Sequence, residues 1–271
     1  LQQEADIAWQ QQQNEQALER YTALIERQRE RQAEVPPFWY ERAGLSAIIA
    51  GETSLAIDFL ENARQAFAPG TPPEDVLAGL ATAYREIDNL SREISNLERY
   101  LEAYPDAARA GAFRQRLFLT LVESRNLDQA LDLWEQLDQP ARAEEVLLDG
   151  LFRLYMMRGD DSPADSLARE LLDINPEHRA SLDRLGRLYF WRAENRYREE
   201  TQAYERNRTQ RQYNQLLQGF EILNQDFRRS LSYFLRLWDI EPDAEAAWFL
   251  SHIYDRFQDP AKASYYRQYT D

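Results

Sequence analysis

Prolines punctuate this 271-residue sequence at a near-constant interval. Pro36, Pro69, Pro105, Pro140, Pro176 and Pro242 are separated by 33, 36, 35, 36 and 66 residues, the last step being about twice the others. Proline has no N–H for a helical hydrogen bond and its ring collides with the preceding turn, so helices stop at it. Regular prolines therefore divide the chain into helical segments of similar length. Such segments are too short to bury an apolar face alone and become stable by stacking on their neighbours.

The residues between the prolines agree with that division. From Leu148 to Pro176, Leu151 and Tyr155 fall on a first helix, Gly159 in a turn, Ala164, Ala168 and Leu171 on a second helix, and Asn175-Pro176 at its end. The next segment opens similarly with Leu182, Leu185, Gly186 and Tyr189. Earlier segments carry Leu77, Leu80, Ala81 and Tyr84, or Ala43, Gly44, Gly51, Ala56 and Ala63; the last carries Ala247, Leu250, Ser251, Tyr254 and Ala263. Small residues at these places let two helices approach closely, and large ones fill the space between neighbouring hairpins. This pattern resembles the tetratricopeptide (TPR) repeat, whose period is about 34 residues. The resemblance implies an all-α, right-handed superhelical solenoid of about seven helical hairpins, some 14 helices without strands, forming one domain over 1–271 in a protein of bacterial type. The hairpins are expected at 1–35, 37–70, 71–105, 106–140, 141–176, 177–242 and 243–271.

Helix-start signals fit the same register. Thr71-Pro72-Pro73-Glu74 reads as a capping box, and Ser162-Pro163 and Asp259-Pro260 as a cap followed by proline. The first hairpin shows no Gly or Ala core on its opening helix and has a polar turn at Gln10 to Gln13, as expected of a solvated terminal cap. The sixth hairpin is elongated. Leu182, Leu185, Tyr189, Ala193, Tyr197 and Tyr204 keep helical spacing along one arm; Tyr213, Leu216, Phe220, Leu223, Phe227, Leu231, Phe234 and Trp238 keep it along the other. The turn is expected at Asn207-Arg208-Thr209.

Composition narrows the chemistry. The chain has no cysteine, so disulfides, zinc–thiolate sites and thiol nucleophiles are excluded. Two histidines, His178 expected in an exposed loop and His252 on a helix, lack metal-pair spacing, and no glycine-rich phosphate loop or nucleophile elbow occurs. No catalysis, cofactor or metal is expected. A net charge of −15 disfavours nucleic acid or an anionic membrane as partner, and no apolar run suffices for a membrane span. The chain opens on Leu1 rather than Met, pointing to a removed leader or a start inside a longer protein; the compartment stays open between cytoplasm and bacterial periplasm.

A partner is therefore expected to be a protein or peptide. In the family that the repeats resemble, the first helices of the hairpins line the binding groove. That register places Asp149 and Arg153, then Asp183 and Arg187, at equivalent groove positions, with Trp191, Trp248, His252 and Arg256 extending the strip. Tryptophan and arginine are the side chains that most often anchor partners. A non-catalytic interaction scaffold is the leading expectation, with a self-associating component using the long hairpin over 193–223, or the helical portion of a larger enzyme, as alternatives.

Overall fold

A computed structural model describes residues 1–68 and 70–270; Pro69 of the proline series and the terminal Asp271 lie outside the described residues. Among the described residues there are fifteen helices and no strand. They gather into two compact units, Leu1–Ala143 and Glu144–Asp271.

The first unit holds α1 (Gln2–Gln10), α2 (Asn14–Glu30), α3 (Pro37–Ile49), α4 (Thr53–Ala66), α5 (Glu74–Glu86), α6 (Leu90–Ala103), α7 (Ala110–Glu123), α8 (Leu127–Trp134) and the four-residue α9 (Gln139–Arg142). Helices pack in sequential pairs, and each pair packs on the next through a contact such as α2 on α3 or α4 on α5. Small residues sit where the pattern requires them. Gly44 of α3 lies so close to α4 that a Cβ there would come 2.5 Å from Leu60 Cγ. Tyr21, Ile25, Leu60, Val76 and Leu80 fill the space between layers.

The second unit holds α10 (Glu145–Arg158), α11 (Asp161–Ile174), α12 (Arg179–Arg206), α13 (Gln210–Ile240), α14 (Ala244–Arg256) and α15 (Pro260–Arg267). At 28 and 31 residues, α12 and α13 are about twice the length of their neighbours. The expected turn is in place: Asn207 follows α12, and the Thr209 side chain caps α13 by accepting from the Gln212 N–H. Near its base the hairpin closes tightly. A Cβ on Gly186 would lie 2.9 Å from the Phe234 ring, and the buried Ser230 hydroxyl donates to the Gly186 carbonyl at 2.8 Å. Towards the tip the apolar seam pairs with itself, Tyr197 stacking on Phe220 and Tyr204 tilting against Tyr213.

Several sequence-level expectations need correction. Pro140 does not close a hairpin. It opens α9, because the Asp138 carboxylate accepts from the Ala141 N–H and proline is already set for a first helical turn. The short α9 thus brings the helices among the described residues to fifteen, where about fourteen were expected. Thr71 does not cap α5: Pro73 is its N-cap, and Glu74 instead takes the Tyr100 hydroxyl and Arg109. Those two bonds hold the Glu74 carboxyl below its ordinary range. Ser162 lies inside α11, whose N-cap is Asp160. Asp259 does cap α15, accepting from the Lys262 N–H. The opening helix of the first hairpin has an alanine core after all, with Ala5 and Ala8 buried beside Ala17 and Tyr21 of α2.

Candidate functional site

Each hairpin's first helix in the second unit contributes to the residues singled out above. On α10, Arg153 Nε lies 3.0 Å from Asp149, four residues earlier. Asp149 also meets His178 Nε2 at 3.2 Å. His178 is thus no exposed loop residue. Its Nδ1 accepts from the Ser181 N–H and caps α12, while the ring packs edge-on to Phe152. With Nδ1 an acceptor, the proton belongs on Nε2, where it can be donated to Asp149.

On α12, Arg187 donates through Nε to both Asp183 oxygens at 2.7 and 2.8 Å. Its other arm reaches Glu245 of α14 at 2.5 Å, and the guanidinium lies 5.0 Å from the centre of the Phe249 ring. Burial pulls this guanidinium down, but the bonds to Glu245 and Asp183 together hold it above its ordinary value. About two turns further, Arg256 of α14 crosses back to α12. It holds Glu194 in a fork at 2.8 and 2.7 Å and stacks 4.2 Å above Tyr197; the bond to Glu194 raises it too. These two arginines therefore clamp α12 to α14.

Between the clamps lies an aromatic cluster. Phe190 and Phe249 are almost fully buried, at 2% and 3% exposure, and meet at 5.0 Å edge to face. Trp191 and Trp248, their chain neighbours, stay open at 46% and 36%, with ring centres 6.4 Å apart. The His252 ring lies 3.9 Å from Trp248, and its Nδ1 engages the Trp248 carbonyl at 2.7 Å. Phe190, Trp191, Glu194, Trp248, His252, Asp255 and Arg256 enclose a cavity of about 270 Å³. A second of about 420 Å³ shares Asp255 and Arg256 and continues along the long hairpin to Tyr197, Phe220 and Phe227.

The sequence matches no protein-family profile and no curated protein. Its fold does have counterparts among solved structures. The C-terminal part of a TPR repeat-containing protein from Cytophaga hutchinsonii superposes with a TM-score of 0.58, covering 98% of this chain and 92% of that one at 14% identity. The chain has the tetratricopeptide-repeat fold. YrrB, a TPR protein with an unusual peptide-binding site, matches with a TM-score of 0.53 and 19% identity over 66% of this chain and 87% of its own. A candidate protein-binding protein from Bacteroides ovatus gives 0.52 and 18%, over 69% of this chain and 99% of its own.

On this TPR frame the structure brings Asp183, Arg187, Trp191, Trp248, His252 and Arg256 into one strip along α12 and α14. Asp149 and Arg153 lie on α10, joined to α12 through His178. Sequence reasoning missed Phe190, Phe249, Glu194, Glu245 and Asp255. The doublets Phe190-Trp191 and Trp248-Phe249 were a legible signal: adjacent aromatics on a helix point about 100° apart, so one can be core while the other faces out. Nothing in the sequence announces that Glu194 meets Arg256, 62 residues later. Among the described residues no group of three or more His, Asp or Glu side chains is placed to hold a metal ion. Among the described residues no helix is long and apolar enough to cross a membrane.

Proposed function

We propose that this protein is a non-catalytic scaffold that binds a segment of another protein along the α12–α14 strip. The observation that carries the reading is the exposure of Trp191 and Trp248 beside the buried Phe190 and Phe249. The phenylalanines lie in the core of the unit, and the indoles pack against them with part of each ring left open. An open indole face is a costly feature to leave in water and a favourable one to cover with a partner. The structural likeness to a TPR protein with a peptide-binding site supports a peptide-like ligand.

The ligand would carry apolar groups for the indoles and an acidic group for the arginines. Arg187 already holds two carboxylates. Of these, Glu245 is 64% exposed and is the one a partner's carboxylate would displace, in the planar geometry that a guanidinium fork favours. Glu194 and Asp149, the partners of Arg256 and Arg153, are far less exposed at 17% and 26% and stay in place. With the partner segment in hand as a synthetic peptide, titration calorimetry should show that Trp191→Ala and Arg187→Ala each weaken binding by at least about 2 kcal/mol. Normal binding by both variants, or a lower melting temperature for Trp191→Ala with no loss of affinity, would contradict the assignment.

A further inference from the structure

The tip of the long hairpin has a different charge character from the rest of the chain. Residues 206–220 contain Arg206, Arg208 and Arg211 and no Asp or Glu, in a sequence with 47 acidic residues among 271. All three arginines are exposed, and none makes an ion pair among the described residues. Elsewhere in the same unit many arginines hold carboxylates, among them Arg153, Arg179, Arg184, Arg187, Arg192 and Arg256. Tyr213 and Leu217 stand exposed beside the tip at 42% and 46%.

Geometry isolates this charge. Beyond Ala193 no residue of α12 is buried, and Arg206 lies 13 residues further on, about 20 Å at 1.5 Å per residue. The Debye length at physiological salt is about 8 Å, so the tip, where Arg206, Arg208 and Arg211 outweigh the exposed Glu205, presents this local positive charge rather than the field of a −15 molecule.

A matching surface exists on the same chain. Glu15, Glu19, Glu26 and Glu30 of α2 are four, seven and four residues apart, which places them within an arc of about 60° on one helix face. All four are exposed and none has an ion-pair partner among the described residues. Arg27 and Arg29 flank the stripe; Arg29 is turned onto the Tyr40 ring at 5.5 Å. The first unit as a whole has 24 acidic residues against 14 basic ones.

We infer that copies of this protein associate head to tail, the arginine tip of one hairpin docking on the glutamate stripe of α2 in a second copy. The complementarity runs between different surfaces, so the contact is heterologous and extends to chains or rings rather than stopping at a symmetric pair. Tip against tip would set like charges together, which disfavours the symmetric alternative. The inference is independent of the indole strip, since it uses none of its residues.

Sedimentation velocity on the full chain tests it with a charge swap. Wild type should show concentration-dependent association at 50 mM salt that is lost at 500 mM, the steep salt response of an exposed ionic contact. Arg206→Glu/Arg208→Glu/Arg211→Glu should weaken association about tenfold or more, as should Glu15→Arg/Glu19→Arg/Glu26→Arg/Glu30→Arg. An equimolar mixture of the two variants should associate again, which a folding defect in either could not produce. A monomeric wild type at every concentration, association that survives the tip reversal, or a mixture that stays apart would each overturn the inference. So would tip-dependent binding to vesicles containing phosphatidylserine by a chain that remains monomeric, which would assign the arginines to a lipid surface.

Discussion

Gln12, Asp88, Arg125 and Gln258 hold left-handed backbone in four of the turns that join the helices of a hairpin, at φ between 54° and 62°. Gly51 and Gly159 hold the corresponding place in two others, at φ 76° and 75°. A side chain in this region costs roughly 1–2 kcal/mol, because Cβ crowds the next carbonyl; glycine escapes that cost but gives up about 0.5–1 kcal/mol of unfolded-chain entropy. Arg125→Gly should therefore raise thermal stability by up to about 1 kcal/mol in a melting experiment. Gly159→Ala should lower it by a similar amount. At Gly159 the turn was legible in the sequence; at Arg125 it was not, since the tight turn is imposed by the packing of α7 and α8 and not by the residue. Titration gives a second test at this scale. Burial, then the nearby Asp75 carboxylate, pushes the Glu41 carboxyl above its ordinary value of 4.5, against the pull of Arg42. The folded state thus holds this proton more tightly than the unfolded chain. Glu41's contribution is most favourable below pH 4.5 and declines as pH rises through the raised value. Glu41→Gln should raise the melting temperature at pH 7, and the gain should vanish at pH 4. A gain that persists at pH 4 would assign the effect to packing.

At the scale of elements, close approach is what turns a helix pair into a hairpin. Gly44 faces Leu60, including its backbone N at 3.2 Å, and Gly186 faces the rigid Phe234 ring. Neither neighbour can yield cheaply, so Gly44→Ala and Gly186→Ala should each cost about 1–3 kcal/mol in a denaturant titration, despite alanine's better helix propensity. Gly111, with nothing within 4 Å of its Cβ direction, is the control: Gly111→Ala should be neutral or stabilising. These small-residue positions, and the long seam of α12 and α13, were readable because their spacing repeats. The prolines were readable as punctuation but ambiguous in direction. Pro105, Pro176 and Pro242 follow helices, whereas Pro140 and Pro260 open them, each after an aspartate, Asp138 or Asp259, whose carboxylate caps the new helix. The α12–α14 clamp could not be read at all, because Arg187–Glu245 and Arg256–Glu194 join residues 58 and 62 apart. Periodicity says nothing about which charges meet across two helices.

At the scale of the molecule, stacked hairpins give a scaffold whose core is repetitive and whose distinctive features are the places where repetition breaks. Two such places stand out: the long α12–α13 arm with its arginine tip, and the pair of open indoles that α12 and α14 hold beside buried phenylalanines. The central claim concerns the second. A photo-crosslinking amino acid replacing Asn195, exposed on α12 one turn after Trp191, compared in the protein's native cell with the same group replacing the exposed Ile174 at the end of α11, tests it most directly while leaving both indoles in place. The account predicts a discrete crosslinked partner from position 195, mapping by mass spectrometry to one apolar and acidic segment and absent from position 174. Crosslinking that is equal at both positions, or absent at 195 from cells in which the protein is expressed and folded, would contradict it.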